Sequence, residues 1–118
     1  MTAKRPHKVL EKDVLKAVWQ LLHTKYKDGT WVRVNPVRLT TRKDGKLIVT
    51  KTPGSVGCAD IVGCYRGDFL GIECKAPGGK LSDSQLKWQD HLVKNSGGTY
   101  AVVDSVDGVE ELMRMYNV

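Results

Sequence analysis

Asp60, Glu73 and Lys75 are the residues of this 118-residue sequence whose types and spacing can do chemistry. Glu73 and Lys75 lie in a stretch, Phe69 to Lys75, that alternates like a strand. Leu70, Ile72 and Cys74 fall on one side, and Gly71, Glu73 and Lys75 on the other. A carboxylate and an ammonium therefore leave the same face, two residues apart. Asp60 opens the preceding apolar strand, Asp60 to Tyr65. Arg66-Gly67-Asp68 makes a tight connection, so the two strands are expected to pair as a hairpin and bring Asp60 beside Glu73. Two close carboxylates repel and lose solvation, and a divalent cation is the common remedy. Mg²⁺ suits such a pair because it takes oxygen ligands and keeps several waters. Lys75 beside them can hold and deprotonate a water, or stabilise charge developing on a phosphate. Together these are the parts for metal-assisted hydrolysis of a phosphodiester.

The elements that must position them follow from periodicity. Leu10, Val14, Val18, Leu21 and Leu22 recur at helical spacing, which predicts a first helix over Val9 to Tyr26. Glu11 shares a face with Leu15, Val18 and Leu22, and a carboxylate near an apolar stripe needs a partner. The helix dipole alone also favours a first-turn Glu. Asp13 points to the more polar side. Trp31 to Asn35 alternates as a strand, with Arg33 and Asn35 on a face that can meet a substrate. Val37–Thr40 and Leu47–Thr50 flank Asp44-Gly45, a strong hairpin signal. That arm carries Arg38, Arg42, Lys43, Lys46 and Lys51, which suit either an exposed ribbon with charged edges or a basic finger on a nucleic-acid backbone. The loop at residues 51–57 has no Gly-Lys-Ser/Thr, which argues against a nucleotide-binding P-loop. Gly57 is expected to let the main chain pass close to a phosphate or metal.

Ala76-Pro77-Gly78-Gly79-Lys80 turns the chain out of the Glu73 strand and places Lys80 near the site. Ser82-x-x-Gln85 is a capping box, sufficient in itself to explain both residues at the start of a second helix. Gln85 can instead face the site, and one side-chain conformation is not expected to serve both ends. Trp88 and Leu92 fall on the inner face of that helix. Ser96-Gly97-Gly98 stops it, Thr99 to Asp104 is a buried strand, and Val109 to Tyr116 is a final helix.

The pattern Gly57-x-x-Asp60, Glu73-x-Lys75-x-x-x-Gly79-x-Leu81-Ser82-x-x-Gln85, with Gly98-x-Tyr100-x-Val102-Val103, resembles the VRR-NUC family of the PD-(D/E)xK nucleases. The resemblance spans nearly the whole chain, from Glu11 to Val103. Ala59 stands where the superfamily's motif has proline, a variable position. The likeness implies an α/β fold: a restriction-endonuclease-like αβββαβ core, its mixed central sheet flanked by helices, here with the basic hairpin inserted. It implies a metal-dependent endonuclease acting on DNA. Asp60 and Glu73 would bind Mg²⁺ or Mn²⁺, with Glu11 and the main-chain carbonyl of Cys74 as further ligands. Lys75 would activate water and Gln85 would assist. Small stand-alone members, viral or bacterial, resemble Holliday-junction resolvases, which cut branched DNA as homodimers and work in the cytoplasm. No small-molecule cofactor is implied.

Composition bounds these expectations. The length suits one domain, residues 1–118. No apolar run approaches a membrane span, and the basic start lacks the apolar region of a secretory signal. Cys58, Cys64 and Cys74 are odd in number without paired spacing, which favours reduced thiols over zinc ligands. The net charge is +6, and residues 1–51 hold thirteen Lys/Arg against four Asp/Glu, while residues 52–118 hold six against nine. A basic half beside an acidic half fits a protein that grips phosphate with one part and holds metal with the other. Three other readings stay open: a nuclease that nicks or cuts linear duplex, a nucleic-acid-binding module without catalysis, and an unrelated α/β protein in which Glu73 and Lys75 form a surface pair.

Overall fold

The computed structural model describes residues 8–34, 37–51 and 56–117. Helix α1 spans Glu11–Thr24, two residues shorter at each end than its periodicity predicts. Its start is set by Asp13, whose carboxylate accepts the Leu10 N–H at 3.3 Å and so ends the helix before Val9. Val14, Val18 and Leu22 are its buried stripe.

The strands are β1 (Thr30–Arg33), β2 (Val37–Thr41), β3 (Leu47–Lys51), β4 (Ile61–Tyr65), β5 (Asp68–Cys74) and β6 (Thr99–Val103). Helix α2 covers Asp83–Asp90 and continues through a wider π-type turn, His91–Asn95; α3 is Val106–Arg114. The main sheet has the order β1-β4-β5-β6. β1, β4 and β5 pair antiparallel, whereas β6 joins β5 in parallel. A parallel partner requires a crossover, and α2 is that crossover. Setting aside the arm and α3, the element order is αβββαβ within a mixed α/β fold. The arm is β2 paired with β3 alone, turning at Asp44-Gly45 as predicted, with Gly45 at φ +83°.

Helices cover both faces of the sheet. On one, α1 and α3 bury Val18, Leu22, Val109 and Met113 against Trp31, Ile61, Leu70, Ile72 and Cys74. On the other, α2 lies over Gly71, where an added Cβ would come within 3.0 Å of the Trp88 ring. Only glycine lets the helix approach this closely. In β1 Trp31 (8% exposed) is the inward residue and Val32 (54%) faces out, while Arg33, on the Trp31 side by alternation, is exposed. Trp31 is held there because its indole N–H donates to the Tyr26 carbonyl at 2.9 Å. Helix α3 begins three residues before its predicted start. All three cysteines are free: Cys74 buried, Cys58 half-buried and Cys64 exposed. Among the described residues no helix is long and apolar enough to cross a membrane.

Candidate metal centre and active site

The β4–β5 register, with Ile61 opposite Ile72, places Asp60 opposite Glu73 one step further on. Asp60 is fixed from two sides. Its Oδ2 accepts the Cys74 N–H at 2.7 Å, and its carbonyl accepts the Val34 N–H at 2.8 Å. Glu73 is only 1% exposed, the one charged side chain buried among the described residues. Glu11, projecting from the first turn of α1, completes the group: carboxylate oxygens of Glu11, Asp60 and Glu73 lie within 4.8 Å of one another. Asp13 is engaged in the helix cap, as its polar side suggested.

Burial raises the Glu73 carboxyl, and the Asp60 charge beside it raises it further, to about 8; the Lys75 ammonium opposes both. Without a cation, the protonated form of Glu73 is therefore favoured at neutral pH. As an ionised carboxylate its Oε2 has no hydrogen-bond partner. A buried carboxylate with one unpartnered oxygen, grouped with two further carboxylates, is what a hard divalent cation satisfies. By donor chemistry and spacing, the residues present fit Mg²⁺ or Mn²⁺.

Lys75 is 14% exposed, its Nζ 3.8 Å from Glu73 Oε1 and 3.9 Å from Glu11 Oε1. It thus lies at the edge of the cluster, beside Glu73 and Glu11, and is nearly shielded from solvent. The peptide that precedes it is oriented by β6, because the Lys75 N–H donates to the Val103 carbonyl at 2.9 Å. In a planar trans peptide the Cys74 carbonyl then points the other way, to the side where Asp60 sits. The Cys74 thiol instead faces the core, where burial pushes it up to about 12.

Gln85 corrects one expectation. A single conformation serves both ends: its Oε1 accepts the Ser82 N–H at 2.8 Å, while its Nε2 donates to Glu73 Oε1 at 2.7 Å. The amide has two ends with opposite hydrogen-bonding character, and the helix cap orients the donor end onto the carboxylate. At Gly57, φ +80°, a Cβ would stand 2.2 Å from the Ser84 carbonyl oxygen, so the close approach of the first turn of α2 by itself requires glycine here.

The basic residues fall in several places. Arg33, exposed, lines a cavity of about 520 Å³ with Lys12, Asp13, Lys16 and Trp19. Lys12 and Lys16 escaped the sequence reading because exposed lysines on a helix are ordinary; their signal is the i, i+4 spacing directly after Glu11. Arg42 and Lys43 are exposed at the tip of the arm, and Arg42 lies 3.8 Å from Asp44. Lys80 is exposed on the loop before α2. Asn35 and the side chains of Arg38 and Lys51 lie outside the described residues.

No protein-family model matches the chain, and no curated protein is similar to it.

Proposed function

We propose that this chain is a metal-dependent endonuclease that hydrolyses DNA phosphodiester bonds, of the VRR-NUC type its motifs resemble. The observation that carries this is the enclosed Glu73 carboxylate, which shares one small volume with Asp60, Glu11 and the shielded Lys75 ammonium. A buried carboxylate beside two others costs stability unless something compensates it, and Lys75, 14% exposed between Glu73 and Glu11, is more enclosed than an ordinary surface pair.

Asp60, Glu73 and Glu11 would hold the cation, with the Cys74 carbonyl turned toward the same volume. The cation would supply Lewis-acid polarisation of the phosphate and a more acidic water. Lys75 has its ammonium at the edge of the cluster, where it can orient the attacking water, accept its proton or offset charge growing on the phosphate. Gln85 keeps Glu73 Oε1 engaged, which would leave the other oxygen free to hold the cation. Lys12, Lys16 and Arg33 provide positive charge beside the site for flanking phosphates, and the arm provides Arg42 and Lys43. One domain has one cutting site, and paired nicks across a branched substrate need two, so the working form is a homodimer on branched DNA.

Titration of the protein with Mn²⁺ by calorimetry tests the metal centre. Wild type is expected to bind, and Asp60→Ala to lose binding while remaining folded. Equal affinity in the two would reduce the cluster to an ordinary ion-pair network.

A further inference from the structure

Among the described residues, only two buried side-chain polar atoms lack any hydrogen-bond partner: Glu73 Oε2 and the Tyr100 hydroxyl. They belong to neighbouring strands and face the same side of the sheet. Tyr100 is paired with Gly71 across the parallel β5–β6 ladder, and Glu73 is two residues further along β5 on that same face. The Tyr100 ring leans on Trp88 of α2, with centroids 5.9 Å apart. Gly71 beneath the Trp88 ring leaves the space that the two aromatic groups share. The charges of Glu73 and Asp60 and the Cys58 thiol all act on the hydroxyl, which burial has already made harder to ionise.

A buried phenol with no partner is unfavourable: an unsatisfied group of this kind costs stability that phenylalanine in the same place would not. Packing alone therefore explains the ring but not the oxygen. The position of the oxygen, buried on the sheet face that carries Glu73, indicates what would satisfy it. We propose that Tyr100 is a positioning residue of the metal centre, its hydroxyl donating to an ordered water in the hydration shell of the cation held by Asp60 and Glu73. A divalent cation of this kind keeps several of its waters, and outer partners that orient them strongly affect affinity. Tyr100 thus acts through water on the cation and does not touch the reacting phosphate. This inference rests on the metal-centre reading above.

The test is Tyr100→Phe, which keeps the ring and removes only the oxygen. Two readouts are taken, thermal unfolding in EDTA and the shift of that transition with added Mn²⁺; Mn²⁺ affinity by calorimetry accompanies them. In EDTA, the variant is expected to unfold at the same temperature as wild type or higher, because the orphan is gone. With Mn²⁺ it is expected to show a smaller upward shift and about tenfold weaker affinity, in the range for loss of an outer-shell partner. A lower melting temperature in EDTA with an undiminished Mn²⁺ response would overturn the proposal, since the hydroxyl would then hold a structural water unrelated to the cation. Identical behaviour of variant and wild type, with wild type binding Mn²⁺, would also overturn it. Failure of wild type itself to respond to Mn²⁺ would reject the metal centre instead, and the two failures are thereby separated.

Discussion

A carboxylate enclosed as Glu73 is does not stay ionised without compensation. A proton and the Lys75 ammonium can compensate it, and in the proposed metal centre a divalent cation would. The consequence for pH is specific. In the unfolded chain a glutamate titrates near about 4.3, whereas the folded group is raised to about 8. Between those values the native state keeps a proton that the unfolded state has released. The stabilisation is complete below the unfolded value and is lost as pH rises toward the folded one. Unfolding of wild type in EDTA is expected to show this loss between about pH 4.5 and 8, and Glu73→Gln, which cannot ionise, is expected to remove it. Parallel pH profiles for the two proteins would contradict the assigned environment. Legibility at this scale was uneven. Asp60, Glu73 and Lys75 could be found from residue type and the two-residue strand period. The Tyr100 hydroxyl could not be singled out, because its isolation depends on Trp88 packing over Gly71, which brings together distant segments of the chain.

At the scale of elements, α2 joins its own helix cap to the carboxylate cluster. Ser82 accepts the Gln85 N–H, and the Gln85 side chain accepts the Ser82 N–H while donating to Glu73. The two halves of the capping box are therefore unequal. Ser82→Ala is expected to lower stability by about 1 kcal/mol, the usual cost of removing an N-cap, and to leave Mn²⁺ affinity as it was. Gln85→Ala removes the other half of the cap and also frees Glu73 Oε1, so it is expected to weaken Mn²⁺ binding as well. Equal effects of the two variants on metal affinity would show that Gln85 only caps. The sequence displayed both possible tasks for Gln85 but not their compatibility, which depends on the angle at which α2 meets β5. The strands show the same division. Alternation in β1 revealed two faces, and the Trp31 hydrogen bond to Tyr26 decided which one turned inward. The start of α1 moved by two residues because Asp13 folds back onto the Leu10 N–H, a local bond that hydrophobic periodicity does not register.

Over the whole molecule, charge is sorted by position along the chain, and the fold turns that order into a surface. The basic N-terminal half places Lys12 and Lys16 on α1 and Arg33 on β1 around one cavity. The second half supplies Asp60, Glu73 and Lys75. If flanking phosphates occupy that cavity, Lys12→Ala combined with Lys16→Ala is expected to weaken DNA binding and flatten its salt dependence, by a slope of about 0.9 for each phosphate no longer neutralised. Anisotropy titrations of labelled DNA at several salt concentrations, with the catalytic cation omitted, would measure this. An unchanged slope would move the substrate path to the β2–β3 arm. The charge asymmetry itself was visible in the sequence, and so was the arm with its Asp44-Gly45 turn. That the lysines of α1 and Arg33 meet around one cavity was not, because it requires β1 to pack beneath that helix.

The most direct measurement is cleavage of a labelled four-way junction and a matched linear duplex with Mg²⁺, comparing wild type with Lys75→Ala. Paired, symmetric nicks in the junction are expected from wild type. Removal of the lysine is expected to slow them by about 10²- to 10⁴-fold, the usual effect of a positioned acid–base group. Cleavage that persists undiminished in Lys75→Ala, or no cleavage of either substrate by wild type with Mg²⁺ or Mn²⁺, would contradict the assignment of Asp60, Glu73 and Lys75 to phosphodiester hydrolysis.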